Sequence, residues 1–457
     1  MCINGYAAFY NLLKLKMTDQ PDITIGIMDR KAEVFGGLHG NFHGDGLGYV
    51  SGHFSARAEA GNIIFFDEVH REIRRSPLIK LAAPEGSTFS LFNVPIGKRF
   101  HWERTEDQIF QGDLILQMRG DGTIAVINQI PLEDYLKSAI SSEMNSAAPM
   151  EFLKAHTILS RSWLLAGLGR KKKIEKTSMT SGETADGERI LWYDLEDHDL
   201  FDVCADDHCQ RYHGITKIAS RQVEEAVGET QGRVITFQDQ ICDARYSKAC
   251  GGLTEEFATA WDNKRVPYLS SISDAPVPYP PIRTEEEACR WILSEAEAYC
   301  NIKDEGLLEK ILPKGDRETK NFFRWRVEYS REELEEIIRK KSDLDFGTLK
   351  EIVPIQRGSS GRICRLKIVG SKRSTIVGKE LEIRRWLSRT HLYSSAFVIA
   401  TRRNPNGEVE RFIFNGAGWG HGVGLCQIGA AVMASEGFTV EQILKHYFRG
   451  VEIEKMY

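Results

Sequence analysis

The chain has 457 residues, of which 42% are hydrophobic, 27% charged and 10% aromatic. That mix excludes low-complexity disorder and collagen-like repeats, and the length suits two or three structural units, or one large unit with insertions. With 60 basic residues against 65 acidic ones the net charge is -5, so nothing points to a polyanion-binding surface, and nucleic acid is not an expected partner.

No window approaches the roughly 18 uninterrupted apolar residues of a transmembrane helix. In the opening MCINGYAAFYNLLKLKMTDQPD the lysines Lys14 and Lys16 follow the apolar run. A secretory signal has the reverse order, so by sequence the expected location is cytoplasmic. Residues 1–16 leave open a stray extension ahead of a start at Met17. The nine cysteines are an odd and scattered set, which fits a reducing compartment better than a disulfide framework.

Residues 22–130 read as short strands separated by Gly, Asn and Asp turns, so 17–115 is expected to be a β-rich accessory region. Gly120–Gly122 between two alternating runs predicts a hairpin. The period then changes. Leu132, Tyr135, Leu136, Ala139 and Ile140 recur at helical spacing, and Glu143, about three turns on, falls on the same face near the helix end. Pro149 suits the first turn of a second helix, which places Glu143 at the corner of a helix pair. Next come the Cys/His segment, a helix in TKIASRQVEEAVGET, a strand in GRVITF and the loop ACGGLTEEF. Residues 282–345 read as a charged helical insertion, with TEEEACRWILSEAEAYC as one of its helices. Residues 349–415 return to strands, and a glycine-dense loop then runs into C-terminal helices. The expected class is α+β, with segregated elements.

Four segments carry residues fit for chemistry. Glu143, at the edge of an apolar helix face, is expected to be desolvated, which raises a carboxyl pKa toward what a general acid needs; the plainer reading is an exposed helix-end glutamate. In GAGWGHGVGLCQIGA, alternating glycines permit close backbone approach to a ligand, and a helix start offers free N–H groups. His421 and Trp419 there suggest a polar contact and a stacking surface for a sugar. The alternative is a tight glycine corner around a buried histidine. His198, Cys204, His208 and Cys209, with His213 close by, offer two sulfurs and two imidazoles within twelve residues, a closed set for tetrahedral zinc. Buried reduced thiols, or a Cys204–Cys209 disulfide, remain open. In YSKACGGLTEEFATAW, Cys250 reads as a small buried turn residue rather than a nucleophile. Tyr246 is a groove candidate, while Trp261 reads as core.

Taken together, PLEDYLKSAISSEMNSAAPMEFLKAHTILSRSWLLA, DVCADDHCQRYHG, YSKACGGLTEEFATAWDNKRVPYL, FFRWRVEYSREELEEII with SGRICRLKIVG, and GAGWGHGVGLCQIGAAVMA resemble the SpoIID/LytB family of stage II sporulation protein D and amidase-enhancer proteins. They occur in the family's order across roughly residues 120–457, so 116–457 is expected to be the catalytic region. The resemblance implies action on peptidoglycan glycan strands. SpoIID-type members are lytic transglycosylases acting on strands that lack stem peptides. Their catalytic glutamate lies in the segment that reads SEM here, which implies Glu143. Some members bind zinc through two histidines and two cysteines, a pattern that His198, Cys204, His208 and Cys209 fit, and such a zinc is structural. Gly420, Gly422, His421 and Gln427, with Trp419 and Tyr246, are the implied glycan contacts. Arg161 reads as a helix-packing ion-pair partner. A non-catalytic amidase enhancer, with a cell-wall amidase as partner, is the alternative.

Three departures stand out. The family's SxSGG turn is SKACGG here, with Cys250 replacing a hydroxyl residue. Its GHGVG segment usually continues MSQ, but here Leu425 and Cys426 precede Gln427. The family's role implies the cell envelope, yet no export signal is read.

Overall fold

In the computed structural model the described residues are 19–97, 103–171, 181–185, 187–193, 198–217, 220–317 and 321–457. The question of a stray extension at 1–16 lies outside them. The class is α+β, as expected. The chain forms two compact units, each assembled from non-contiguous segments: 1–147, 195–233 and 455–457 in the first, 148–194 and 234–454 in the second.

The first unit is built on an 11-stranded sheet. Strand Ile124–Pro131 pairs antiparallel with Asp22–Lys31 on one side and Asp113–Met118 on the other. The hairpin predicted at Gly120–Gly122 joins Asp113–Met118 to Ile124–Pro131, with Gly122 at φ +79, where a side chain would be strained. Ile23, Ile25, Leu114, Leu116, Ile124 and Val126 are fully shielded, each contributing about 1.5–3 kcal/mol through burial. On the free side of Asp22–Lys31 the short strand Val203–Cys204 pairs in parallel, Ile25 opposite Val203 and Gly26 opposite Cys204.

From this sheet the chain enters the helix Leu132–Glu143. Its start is favourable: Pro131 occupies the cap position, and Glu133 and Asp134 fall in the first turn, where the helix dipole favours anions. Leu132, Tyr135, Leu136, Ala139 and Ile140 are all buried, so the predicted apolar face is the packed one. The end is different. Glu143 is the last residue, and the final turn holds no basic side chain. A carboxylate at the negative end of a helix costs about 0.3–1 kcal/mol. Helix stability therefore does not explain Glu143.

The second unit opens with the helix Met150–Lys171, which starts directly after Pro149. Residues 155–164 are buried without a break, the pattern of a helix surrounded by protein. Two of its interior hydroxyls return their hydrogen bonds to the backbone, Thr157 to Leu153 and Ser162 to Ile158; Arg161 is fully buried among them. A five-stranded sheet (Ser181–Ala185, Glu188–Trp192, Ser374–Gly378, Ile363–Gly370, Leu349–Arg357) and a three-stranded one (Arg324–Ser330, Val409–Ala417, Phe397–Arg403) hold its core, where Trp386, Phe397, Phe412 and Phe414 pack.

One element differs from the sequence reading. The helix expected through TEEEACRWILSEAEAYC forms only over Glu285–Ile292. A Thr284–Glu287 capping box starts it, but the chain turns out at Leu293 and Ser294, where the Ser294 amide and hydroxyl both bond the Trp291 carbonyl. Cys300 consequently sits in a loop, with its N–H donating to the Asp274 carboxylate.

Candidate functional site

In the first unit the segment 198–213 is tied down at several points. Asp202 accepts from the Thr24 amide at 2.9 Å and its hydroxyl at 2.8 Å. Arg119 bridges Asp29 and Asp199. Phe201 lies where a Cβ on Gly26 would be, so glycine at that position admits the ring. With Val203–Cys204 pinned to the sheet edge, the segment turns back and brings four side chains together. One ligand atom from each of His198, Cys204, His208 and Cys209 lies within 4.8 Å of the others. Nε2 of His198 is 3.2 Å from the Cys209 sulfur, and Nδ1 of His208 is 3.5 Å from it. Hydrogen bonding with Cys209, opposed by burial and aided by the two imidazoles, holds the Cys204 thiol far below its ordinary range. Two soft sulfurs and two imidazoles converging in this way match the donor set of a closed zinc shell. His213, buried nearby in sequence, is not among the four.

Glu143 belongs to the same unit and meets the same segment. It is buried, and its Oε1 accepts the Arg211 backbone N–H at 2.9 Å. Arg211 stands two residues after Cys209, so the ligand loop also presents the amide that receives the glutamate. That stretch is anchored throughout. Gln210 accepts from the Tyr135 hydroxyl at 3.1 Å. The Arg211 guanidinium bonds Asp207 at 2.7 Å. Tyr212 donates to Asn128 at 2.6 Å and stacks on Tyr135, ring centroids 5.2 Å apart. Asp207 is pushed up to about 6, chiefly by burial, with Arg211 opposing and the Glu143 charge adding. An exposed helix-end glutamate, the plainer expectation, is not what is found.

The glycan-contact candidates all belong to the second unit. Leu425–Cys426 pairs in parallel with Tyr246–Ser247, which draws the glycine-dense loop over residues 245–252. Two glycines are required by packing. A side chain at Gly422 (φ +75) would enter the Arg362 guanidinium, and one at Gly424 (φ +74) the Arg245 carbonyl. Just before them Trp419, Gly420 and His421 are partly buried. Trp419 rests on Tyr393 (4.6 Å) and Phe322 (5.0 Å). His421 packs edge-on against Trp261 at 4.8 Å, and its Nδ1 accepts from the Val423 amide at 3.0 Å, which leaves the ring proton on Nε2. Burial, with the Arg245 and Arg362 charges, holds His421 well below the usual imidazole range, so the ring is neutral. Gln427 is buried and bonds His156 at 3.0 Å, and His156 in turn meets the Tyr246 ring edge at 5.0 Å. Trp261 is buried, as expected, and donates to the Tyr193 carbonyl.

A second cluster escaped the sequence reading. Cys250, Asp274, Cys300 and Cys426, all buried in the second unit, also place ligand atoms within 4.8 Å of one another. The signal was the pair of departures at Cys250 and Cys426, which the sequence alone does not bring together.

Comparison with known proteins follows the motifs. Residues 120–237 match the family model described as stage II sporulation protein. Residues 255–424 match a domain of unknown function (DUF8618). The chain is 25% identical over 331 residues to stage II sporulation protein D of Bacillus subtilis (strain 168), covering 72% of this chain and 76% of that protein. It is 24% identical over 341 residues to the amidase enhancer of the same organism, covering 70% of this chain but 40% of that relative. An uncharacterised protein of Brachyspira hyodysenteriae is 26% identical over 332 residues. Motif order, family model and relatives agree: the chain carries a match to the SpoIID family model over residues 120–237 and is similar to stage II sporulation protein D over 72% of its length.

Proposed function

We propose that the chain is a peptidoglycan lytic transglycosylase with Glu143 as its acid and base. The carrying observation is the placement of Glu143: a buried carboxyl at an unfavourable helix end, with Oε1 engaged by the Arg211 amide at 2.9 Å. In the proposed reaction the other oxygen, Oε2, carries the proton that is transferred. Glu143 donates it to the glycosidic oxygen between N-acetylmuramic acid and N-acetylglucosamine. Positive charge develops at C1 of the muramoyl residue. The carboxylate then takes the proton of that residue's C6 hydroxyl, whose oxygen attacks C1 and closes a 1,6-anhydro ring. No water is consumed, so a second carboxylate holding a nucleophile is not required, in contrast to hydrolases. Strands poor in stem peptides are the substrate this reading favours, and the cell envelope is where it would act.

His198, Cys204, His208 and Cys209 would hold a structural zinc. Bound there, the ion fixes the loop and contributes no reacting group. The chain's own Arg211 amide does the positioning of Glu143. In the second unit Trp419, Gly420 and His421 are the glycan contacts in this reading, with Gly422 shaping the loop and Gln427, through His156, supporting Tyr246.

One observation favours a second reading. The amidase enhancer relative raises a non-catalytic role in which the protein binds wall glycan and a cell-wall amidase. Glu143→Gln separates the two. A transglycosylase loses strand cleavage while the variant still sediments with purified glycan. A binding module shows no cleavage in either form and the same sedimentation in both.

A further inference from the structure

We propose a second metal site, a closed shell for one zinc ion formed by Cys250, Cys300, Cys426 and Asp274. It lies wholly within the second unit and does not depend on the role of Glu143.

The first ground is size. The Cys250 and Cys300 sulfurs are 3.7 Å apart, and the Cys250 sulfur is 3.2 Å from Oδ2 of Asp274. Zinc–sulfur bonds of about 2.3 Å set neighbouring ligands about 3.8 Å apart across a tetrahedron. The four ligand atoms, all within 4.8 Å of one another, have the span of a shell around a single ion.

The second ground is the ring of donors around the ligands. The Cys250 amide donates to the Cys426 sulfur at 3.2 Å, and the Gly252 amide to the Cys250 sulfur at 3.3 Å. Tyr447 donates its hydroxyl to Oδ1 of Asp274 at 2.6 Å. That bond leaves Oδ2 turned to the sulfurs, where the Cys300 amide also meets it at 3.2 Å. Outer bonds of this kind fix ligand orientation at metal centres. The guanidinium groups of Arg362 and Arg324 bond the carbonyls of Cys250 and Gly251, at 3.1 and 3.0 Å. They bring positive charge beside a shell whose three thiolates and carboxylate exceed the charge of a dication.

The third ground is cost. Asp274 and Cys426 are 0% exposed, Cys300 1% and Cys250 2%. An ionised carboxylate held among three sulfurs out of reach of water is expensive without a cation, and soft sulfur donors select zinc over magnesium or calcium. With four protein ligands and no access for water, the site is structural. It joins the Gly251–Gly252 turn, the loop at Cys300 and the end of the glycine-dense loop at Cys426.

The test is the zinc content of the full chain, produced with zinc present and purified without chelator. Cys250→Ser/Cys426→Ser keeps the size of both side chains. We expect it to stay folded by circular dichroism yet carry one zinc equivalent fewer than the unsubstituted chain. His208→Ala, in the other cluster, retains that equivalent. If the double variant does not fold, Cys426→Ser alone is read in the same way. Equal zinc in a folded variant and the unsubstituted chain would overturn the proposal. So would a native mass of the unsubstituted chain with no metal bound, or a disulfide between any two of the three cysteines in peptides mapped without reductant.

Discussion

The two cysteine clusters have similar spans and opposite settings. His198, Cys204, His208 and Cys209 come from one loop, keep part of their surface exposed, and border a carboxyl that the same loop holds in place. Cys250, Asp274, Cys300 and Cys426 come from four separate stretches, are closed to solvent, and border backbone amides, a tyrosine and two arginines. The contrast teaches that donor geometry alone does not mark a site of reaction. What lies beside the donors does. The loop of the first cluster meets Glu143, the acid and base of the proposed function, whereas the second cluster is proposed as a clamp.

The sharpest way to break this contrast is Glu143→Gln. Removing the acid and base is expected to lower strand cleavage about 10²–10⁴-fold, with the fold and glycan sedimentation unchanged, as read by product release from purified strands. Next in size is Cys204→Ala. Loss of a ligand is expected to remove one zinc equivalent and to lower cleavage about 10–100-fold through the displaced Arg211 amide, even though Glu143 is intact. An unchanged rate in a zinc-depleted variant would break the link between loop and glutamate. If His208→Ala binds as much zinc and melts at the same temperature as the unsubstituted chain, the first metal site is lost as an idea.

Smaller effects sharpen the comparison. Tyr447→Phe leaves Oδ1 of Asp274 without its hydroxyl donor and is expected to cost about 1–3 kcal/mol of stability by denaturant titration, with no change in cleavage rate per folded molecule. Smallest is His421→Ala. It is expected to weaken glycan sedimentation and raise KM a few-fold, since a neutral imidazole contact contributes about 1 kcal/mol. A fall in kcat equal to that of Glu143→Gln would move chemistry into the second unit and contradict the account.

The difference between the clusters also sets what was legible from sequence. Spacing pointed to the first, because its four side chains fall within twelve residues and a loop can close over that span. The helix end at Glu143 was legible too, from the period of Leu132, Tyr135, Leu136, Ala139 and Ile140. The second cluster was not. Cys250 and Cys426 are 176 residues apart, and tertiary pairing, such as that of Tyr246–Ser247 with Leu425–Cys426, brings them together. Cys300 was further hidden in a segment whose charge pattern predicts helix, while the chain turns out of the helix at Leu293. The buried amide that meets Glu143 was invisible for a related reason: any residue could supply the Arg211 N–H, and tertiary structure alone selects it.

The most direct measurement is mass spectrometry of glycan strands after digestion, with and without stem peptides, by the unsubstituted chain and by Glu143→Gln. The account predicts 1,6-anhydro-muramoyl ends from the unsubstituted chain only, and more from strands without stem peptides. Reducing muramoyl ends would contradict it by showing hydrolysis. So would the absence of new ends from a chain that still sediments with glycan, which would make the protein a binding partner rather than an enzyme.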